Sequence, residues 1–376
     1  MKKIFNTLFT LAVMISGLSF TSCNEPEVEG QLVLTASRKI IVADGNDEVV
    51  LTAKLGDMDV TQEAFIYTNN TPMSSNVFTT QKAGDYKFFA SYKGNISNQV
   101  TVKAANPALY IEIPEDSQPE KFSGFSRKVL VAEATGTWCG YCPYMIKGLE
   151  IFSKSGSNAN KAVIVAMHSG DEFSNDASEA AVAASQVSGF PSCVFNLNPE
   201  SLVGNYSSPS MNAENINTMV GMEMRETARV GIAAAVAANH DNSVVAVRAA
   251  VKVGVDGNYR INAWLIEDGV PASQSSYWYE FSDGKSSVVI DHMHILRTAS
   301  SESPIQGKLL GDKENHKSGS VVDFYYEFDA IKAGIKNAAN CKVAILVTAS
   351  NGTSSRFFVN NIVECAVGEV VPFAYN

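Results

Sequence analysis

The sequence predicts an α+β multidomain protein in which a central α/β unit is flanked by an N-terminal and a C-terminal β-sandwich. Three observations predict it. A chain of 376 residues is too long for one ordinary domain of ~100–200 residues. Its hydrophobic residues reach 45% against 18% charged, enough to bury a core in each unit and too apolar for a disordered or collagen-like chain. Its apolar period also changes along the chain. Short strand patterns fill 31–105, strands alternate with helices over 106–229, and strands return over 230–376.

Ahead of these units stands an export leader. Met1-Lys2-Lys3 is basic, and the stretch from Ile4 to Leu18 is mostly apolar but short for a spanning helix. Phe20-Thr21-Ser22-Cys23 resembles a bacterial lipobox. That resemblance implies a signal peptide over 1–22, cleavage before Cys23 and lipidation of its thiol, an anchor that needs more than one acyl chain to hold stably. Residues 23–30 then read as an acidic tether, similar to those of surface lipoproteins in Gram-negative bacteria. The expected location is the outer membrane, facing either the periplasm or the cell surface. Lys and Arg total 29 against 39 Asp and Glu, a net charge of −10, which argues against nucleic acid as a partner.

In the first unit, Gln31–Thr35, Glu48–Ala53, Asp85–Tyr92 and Gln99–Val102 read as strands separated by Gly and Asn turns. Ala83-Gly84-Asp85-Tyr86 resembles bacterial immunoglobulin-like modules, so a spacer sandwich is expected over 31–105. A short strand is expected at Ala108–Ile113. In the central unit, Lys128–Ala132 and Ala162–Met167 are buried-strand runs. Tyr144–Ser155 and Asp176–Val187 are helical, the second with Ser174, Asn175 or Asp176 as its cap. Ser192–Asn196 and Leu202–Gly204 are strands, and Asn212–Ala228 a closing helix. In the last unit the strand candidates are Ser243–Arg248, Tyr259–Ile266, Met293–Thr298, Val321–Phe328, Lys342–Thr348 and Phe357–Val363, with a helical turn at Ala330–Ala338.

The chemistry is expected in the central unit. Trp138-Cys139-Gly140-Tyr141-Cys142-Pro143 joins the first buried strand to a helix. At a helix start, unpaired N–H groups and the dipole favour the thiolate of the first Cys. The second Cys, a turn later, is placed to resolve a mixed disulfide, and Pro143 suits the first turn. Glu133, six residues before Cys139, is a carboxyl that can exchange a proton with Cys142. Phe190-Pro191-Ser192 opens a strand at an X-Pro bond, the natural site of a cis peptide. Such a turn leaves the Phe190 backbone free to pair with an extended substrate.

This constellation resembles the thioredoxin superfamily over roughly 106–229. The resemblance implies a thioredoxin-like central domain with Cys139 as nucleophile, Cys142 as resolving thiol, Glu133 as proton relay and Pro191 as the cis residue. Trp138, Tyr141 and Phe190 would meet the substrate, Phe190 being bulkier than the family's usual Thr, Val or Ile. Gly136 to Pro143, the sandwich after it and the segment from His292 to Arg297 are also similar to the outer-membrane-protein-twenty-eight family of bacterial lipoproteins.

The remaining candidates stay open at this stage. Cys341 and Cys365 fit either a structural disulfide worth ~2–4 kcal/mol or two buried free thiols. Cys193 is a small buried hydrophobe or a third redox thiol. His168 is a core or rim histidine or a catalytic one. His292 and His294, at i and i+2, would share a strand face and could chelate a metal. Zinc on the C-x-x-C pair lacks a second pair at ligand spacing. No metal and no cofactor are expected. Two functions follow. One is an envelope-anchored thiol–disulfide oxidoreductase, reductase or isomerase in type, whose partners are thiols or disulfides of exported proteins, an envelope electron donor and, through its lipid anchor, the membrane. The other is a non-catalytic surface binding or assembly lipoprotein that uses the same unit as a scaffold.

Overall fold

A computed structural model describes residues 30–350 and 357–376. The expected signal peptide, the lipidation site Cys23 and nearly all of the tether lie outside the described residues. The chain divides into two compact units.

In the first unit, strand Leu32–Ala36 runs antiparallel to Val49–Leu55, with Leu34 opposite Ala53. Burial alternates along the shorter strand, as it must when one face of a pleated strand meets a core and the other meets water. Phe65–Thr68 pairs with Phe88–Ser91, Ile66 lying opposite Ala90. Leu32, Leu34, Leu51, Leu55, Ile66 and Phe88 are buried.

The second unit holds everything from residue 102 onward, together with 38–49 and 78–86. The strand expected at Ala108–Ile113 is absent. Pro107 has no N–H to give a ladder, and the Asn106 side chain accepts from the Ala108 amide at 3.0 Å, so Pro107–Leu109 closes into a 3-10 turn instead.

Seven elements follow in order: β1 (Val129–Thr135), α1 (Cys142–Ser155), β2 (Ala162–His168), α2 (Asp176–Ser185), β3 (Ser192–Phe195), β4 (Asn198–Gly204) and α3 (Pro209–Glu223). β1 is buried at every position, which explains its unbroken apolar run. It pairs parallel with β2 and antiparallel with β3. α1 and α3 cover one face through Met145, Leu149, Phe152, Ile216 and Val220. α2 starts at Asn175, whose side chain accepts from the Ala177 and Ser178 amides while the Ser178 hydroxyl receives the Asn175 N–H, a reciprocal cap.

The rest of the chain adds β5 (Val230–Ala238), β6 (Val244–Val253), β7 (Tyr259–Glu267), β8 (Val270–Ser275), the one-turn α4 (Tyr279–Ser282), β9 (Ser287–His292), β10 (Ile295–Ala299), β11 (Val321–Asp329), β12 (Cys341–Ser350), β13 (Phe357–Ala366) and β14 (Val370–Val371). The helical turn expected at Ala330–Ala338 is reduced to a 3-10 turn at Ala338–Asn340.

The expected fold class is corrected here. The protein is mostly β, 44% strand against 16% helix, and the α/β segment is not an autonomous thioredoxin-like domain set between two sandwiches. Its sheet runs on without a break in the order β4-β3-β1-β2-β10-β7-β12-β13. The join is β2 to β10, where Ala166 faces Ile295 and the Ala166 amide donates to the His294 carbonyl at 2.7 Å. The reason is an uncovered edge and face. Leu130, Val163 and Met167 have no complete cover of their own and share one core with Trp264, Leu296, Leu346 and Ile362. A second sheet, β11-β6-β5-β14, lies against the far half of this long sheet. Ile232, Val247 and Phe324 from the one meet Tyr259, Leu265 and Ile345 from the other, a sandwich-like packing.

β5 escaped the sequence reading because its Ala-rich run favours helix intrinsically. Burial on both faces and nine paired positions with β6 override that preference. Among the described residues no helix is long and apolar enough to cross a membrane.

Candidate functional site

Cys139 and Cys142 are joined as a disulfide with a Cα–Cα separation of 5.4 Å. The Cys139 amide donates to the Gly136 carbonyl at 3.0 Å and the Cys142 amide to the Cys139 carbonyl at 3.2 Å, so a tight turn sets the pair on the end of α1. Pro143 occupies the first turn of the helix, where its missing N–H costs nothing. Cys139 is 4% exposed and Cys142 fully buried.

Glu133 lies in β1, six residues before Cys139 and opposite Cys193 of β3. It is 3% exposed and its Oε1 has no hydrogen-bond partner. Burial pushes its carboxyl up to about 8, because a charge in that setting loses its hydration. The Cys193 thiol is raised well above its ordinary range by burial, with the Glu133 carboxylate adding to it. The Phe190–Pro191 bond is cis and Pro191 is buried. The Phe190 ring lies 5.5 Å from that of Trp138. Trp138 is exposed and donates its indole N–H to the Ser169 carbonyl at 2.8 Å. Tyr141 is exposed as well.

The cover over this motif comes from the β8–β9 hairpin, which the sequence reading did not find. Gln274 donates its side-chain amide to the carbonyls of Cys139, at 3.0 Å, and Gly136, at 3.3 Å. The Ser275 amide donates to the Thr137 carbonyl and the Tyr277 amide to the Gly140 carbonyl, both at 2.8 Å. The Tyr277 ring lies against Gly140, where a Cβ would sit 2.6 Å from ring carbon, so any side chain at this position would displace that ring. Tyr141 meets Tyr277 edge to face and Tyr144 stacks on Trp278. The run Tyr277-Trp278-Tyr279-Glu280-Phe281, so aromatic outside any apolar period, is the signal that could have marked this segment.

His168 is buried at the end of β2, and its Nδ1 lies 2.7 Å from Asp171 Oδ2. Burial would raise the Asp171 carboxyl, yet the His168 hydrogen bond and the Thr137 and Phe173 amides hold it below the usual carboxylate range. Through the Thr137 amide at 2.8 Å, Asp171 also fixes the loop leading to Cys139.

Two open candidates are settled by position. His292 and His294 do not share a face. His294 has a positive φ of 61° and turns its ring to Lys342 and Asp268, while His292 packs against His168 and Phe173. Among the described residues there is no group of three or more His, Cys, Asp or Glu that could hold a metal ion. The disulfide weighed for Cys341 and Cys365 is not formed, and both thiols are free and buried. Cys365 stands opposite Val343, so Cys341 is its diagonal neighbour, about 7–8 Å away in such a ladder and beyond disulfide reach. Their thiols donate instead to the carbonyls of Asn337, at 3.6 Å, and Glu369, at 3.2 Å. Burial pushes Cys341 up to about 12 and Cys365 to about 11.

The profile of the family described as Outer membrane protein Omp28 matches residues 178–371, a stretch that includes most of α2, strands β3 to β14 and the covering hairpin, while β1, β2 and the Cys139–Cys142 pair lie ahead of it. Its description agrees with the envelope location read from the leader. No curated protein sequence matches the chain. Among solved structures the chain is similar to HBP35 of Porphyromonas gingivalis, at 17% identity and a TM-score of 0.50, over 67% of this chain and 78% of that one. At that identity the likeness speaks for the fold alone.

Proposed function

This chain belongs to the Omp28 outer membrane protein family, and we propose that it is an envelope-anchored thiol–disulfide oxidoreductase of reductase or isomerase type, acting on exported proteins. The observation that carries the reading is the Cys139–Cys142 pair at the start of a 14-residue helix, with a buried carboxyl on the strand that leads to it and exposed Trp138 and Tyr141 beside it in sequence. The motif itself, Trp-Cys-Gly-Tyr-Cys-Pro, resembles those of thioredoxin-superfamily redox centres.

In the reduced protein the Cys139 thiolate attacks a substrate disulfide. A bond forms between Cys139 and one substrate sulfur, and the other leaves as a thiolate. The Cys142 thiol then passes its proton towards Glu133 in the molecules that hold it ionised, a fraction that grows as the pH nears about 8, and attacks Cys139 Sγ, releasing the second substrate thiolate and closing the Cys139–Cys142 bond. Two electrons have moved to the substrate, and an envelope dithiol must return two to the pair. Isomerisation needs no donor, since the mixed disulfide is resolved within the substrate.

The second reading, a binding or assembly lipoprotein, is favoured by the 4% exposure of Cys139 and by the Gln274 bond that holds its carbonyl. Alkylation of the reduced pair against pH, combined with trapping, separates the two. For an oxidoreductase, Cys139 reacts with a thiol pKa below the ordinary ~8.5, and a Cys142→Ser protein accumulates mixed disulfides through Cys139. An ordinary or raised pKa with no trapped partner and no insulin reduction by the parent protein would falsify the enzyme reading.

A further inference from the structure

From Ser275 to Tyr277 the chain leaving β8 runs along the motif turn. The Ser275 amide donates to the Thr137 carbonyl and the Tyr277 amide to the Gly140 carbonyl, both at 2.8 Å. The Ser276 amide between them turns the other way, to the Ser286 carbonyl at 2.9 Å. Alternate amides directed to one side are what an extended segment offers to a free edge. The two carbonyls lie on either side of Cys139 in the chain, and among the described residues the hairpin supplies their main-chain donors. Trp138 and Tyr141 are about half exposed, yet Cys139 between them is 4% exposed.

The hairpin is held unevenly. It forms a two-stranded sheet of its own, a unit that is marginal by itself in water. Its base is fixed to the body, where Val270 and Ala272 pack with Phe173 and Ile295. From Gln274 outward its hold is on the motif and on α1. The Gln274 side chain bonds the carbonyls of Gly136 and Cys139, the Tyr277 ring meets Tyr141, and Trp278 stacks on Tyr144. Neither Tyr277 nor Trp278 belongs to the cores on the faces of the long sheet, so this outer end can lift while those cores stay closed.

We propose that the Thr137 and Gly140 carbonyls form the docking edge for an extended strand of substrate, and that residues 275–277 fill that edge in the resting protein as an internal stand-in. The proposal rests on the thiol-exchange reading and names its substrate class. Unfolded or extended segments carry free N–H groups that replace those of Ser275 and Tyr277 bond for bond. A cysteine inside a helix has no such donors, because its N–H groups already serve the helix. Self-occupation lowers the apparent affinity for any partner by the fraction of molecules in which the strap is lifted, which screens out cysteines that bring no strand.

The test uses the reduced, full-length Cys142→Ser protein, with Cys142→Ala as a second variant should the first not fold. Three probes are activated as mixed disulfides with thionitrobenzoate: cysteamine, a capped Val-Thr-Cys-Thr-Val peptide, and that peptide N-methylated on either side of the cysteine. The Cys139 thiolate attacks the probe's sulfur, a Cys139–probe bond forms, and thionitrobenzoate leaves as the more acidic thiol, its colour giving the rate. Each rate is divided by that of glutathione with the same probe. The methylated peptide should couple at least about fivefold more slowly than its parent, for want of the main-chain bonds. In the peptide adduct the Ser275 and Tyr277 amides should exchange at least about tenfold faster than in the uncoupled protein, with β7 unchanged and no such release in the cysteamine adduct. Protection kept in the peptide adduct, equal rates for the two peptides, amides that exchange freely before coupling, or release by cysteamine as well would each overturn the proposal and leave thiol exchange standing. So would a peptide that fails to couple where cysteamine succeeds. Failure to couple with any probe would overturn the oxidoreductase reading and this proposal with it.

Discussion

Gln274 donates its side-chain amide to the main-chain carbonyl of Cys139 at 3.0 Å, across 135 residues of sequence. The same amide reaches Gly136, so one buried side chain clamps both ends of the turn that presents the disulfide. Gln274→Ala should cost ~0.5–1.5 kcal/mol by removing a second donor from two carbonyls that keep their Cys139 and Cys142 amides. It should also raise the alkylation rate of reduced Cys139 several-fold. Urea unfolding and timed alkylation, read together, check both effects; an unchanged alkylation rate would show that the hairpin does not shield the thiol.

Glu133 is a carboxyl whose folded value, about 8, stands above its ordinary 4.5 because it is buried. The folded state therefore holds a proton that the unfolded chain releases. Glu133 should weaken the fold as pH rises from about 4.5 through 8, its contribution being complete below that window. Glu133→Gln should flatten this slope and gain about 1–3 kcal/mol on the parent at pH 8 relative to pH 4.5. Denaturant midpoints at the two pH values measure it, and a parallel slope in both proteins would contradict it.

His292 gives the opposite sign. Its imidazole is lowered to about 4, first by burial and then by His168, so the unfolded chain takes up a proton that the folded one refuses. Stability should be complete above about pH 6.5 and fall as the pH drops towards 4. His292→Gln should lessen acid unfolding in that window and change little at pH 8, a comparison that thermal melts can make.

The shared core predicts that damage in the C-terminal half is felt in the motif-bearing half. Leu296 is fully buried beside Leu130 and Val163, and Leu296→Ala should cost ~2–5 kcal/mol. Amide exchange in β1 and β2 should accelerate together with exchange in β7 and β10. Acceleration confined to β7 and β10 would mean that the two halves unfold separately.

Cysteine connectivity has a direct readout. Unfolding without reductant should expose Cys193, Cys341 and Cys365 to alkylation, whereas Cys139 and Cys142 should react only after reduction. Peptide mass spectrometry distinguishes this from a Cys341–Cys365 bridge.

The parts legible in the sequence were those governed by neighbours. Ala162–Met167 announced a buried strand, Asn175 was among the offered caps, and Cys139, Cys142 and Pro143 marked a helix start. What stayed hidden depends on distant partners. Ala-rich β5 carries no strand signal of its own until pairing with β6 and packing against the long sheet bury it. Gln274 is an ordinary polar residue until it meets Cys139. The strand run at Lys128–Ala132 carried no sign that its sheet would continue through Ile295 into β7. Cys341 and Cys365 sit on neighbouring strands, as a bridge would require, but two residues out of register.

The hairpin over the disulfide also sets an order of events in time. A chain delivered to the envelope with its N-terminus leading brings Cys139 and Cys142 out before Gln274, which follows 135 residues later. During that interval the two thiols stand uncovered in a compartment that oxidises thiols. Their pairing can then be complete before its own lid exists, and the finished molecule encloses a bond it did not have to admit an oxidant to make.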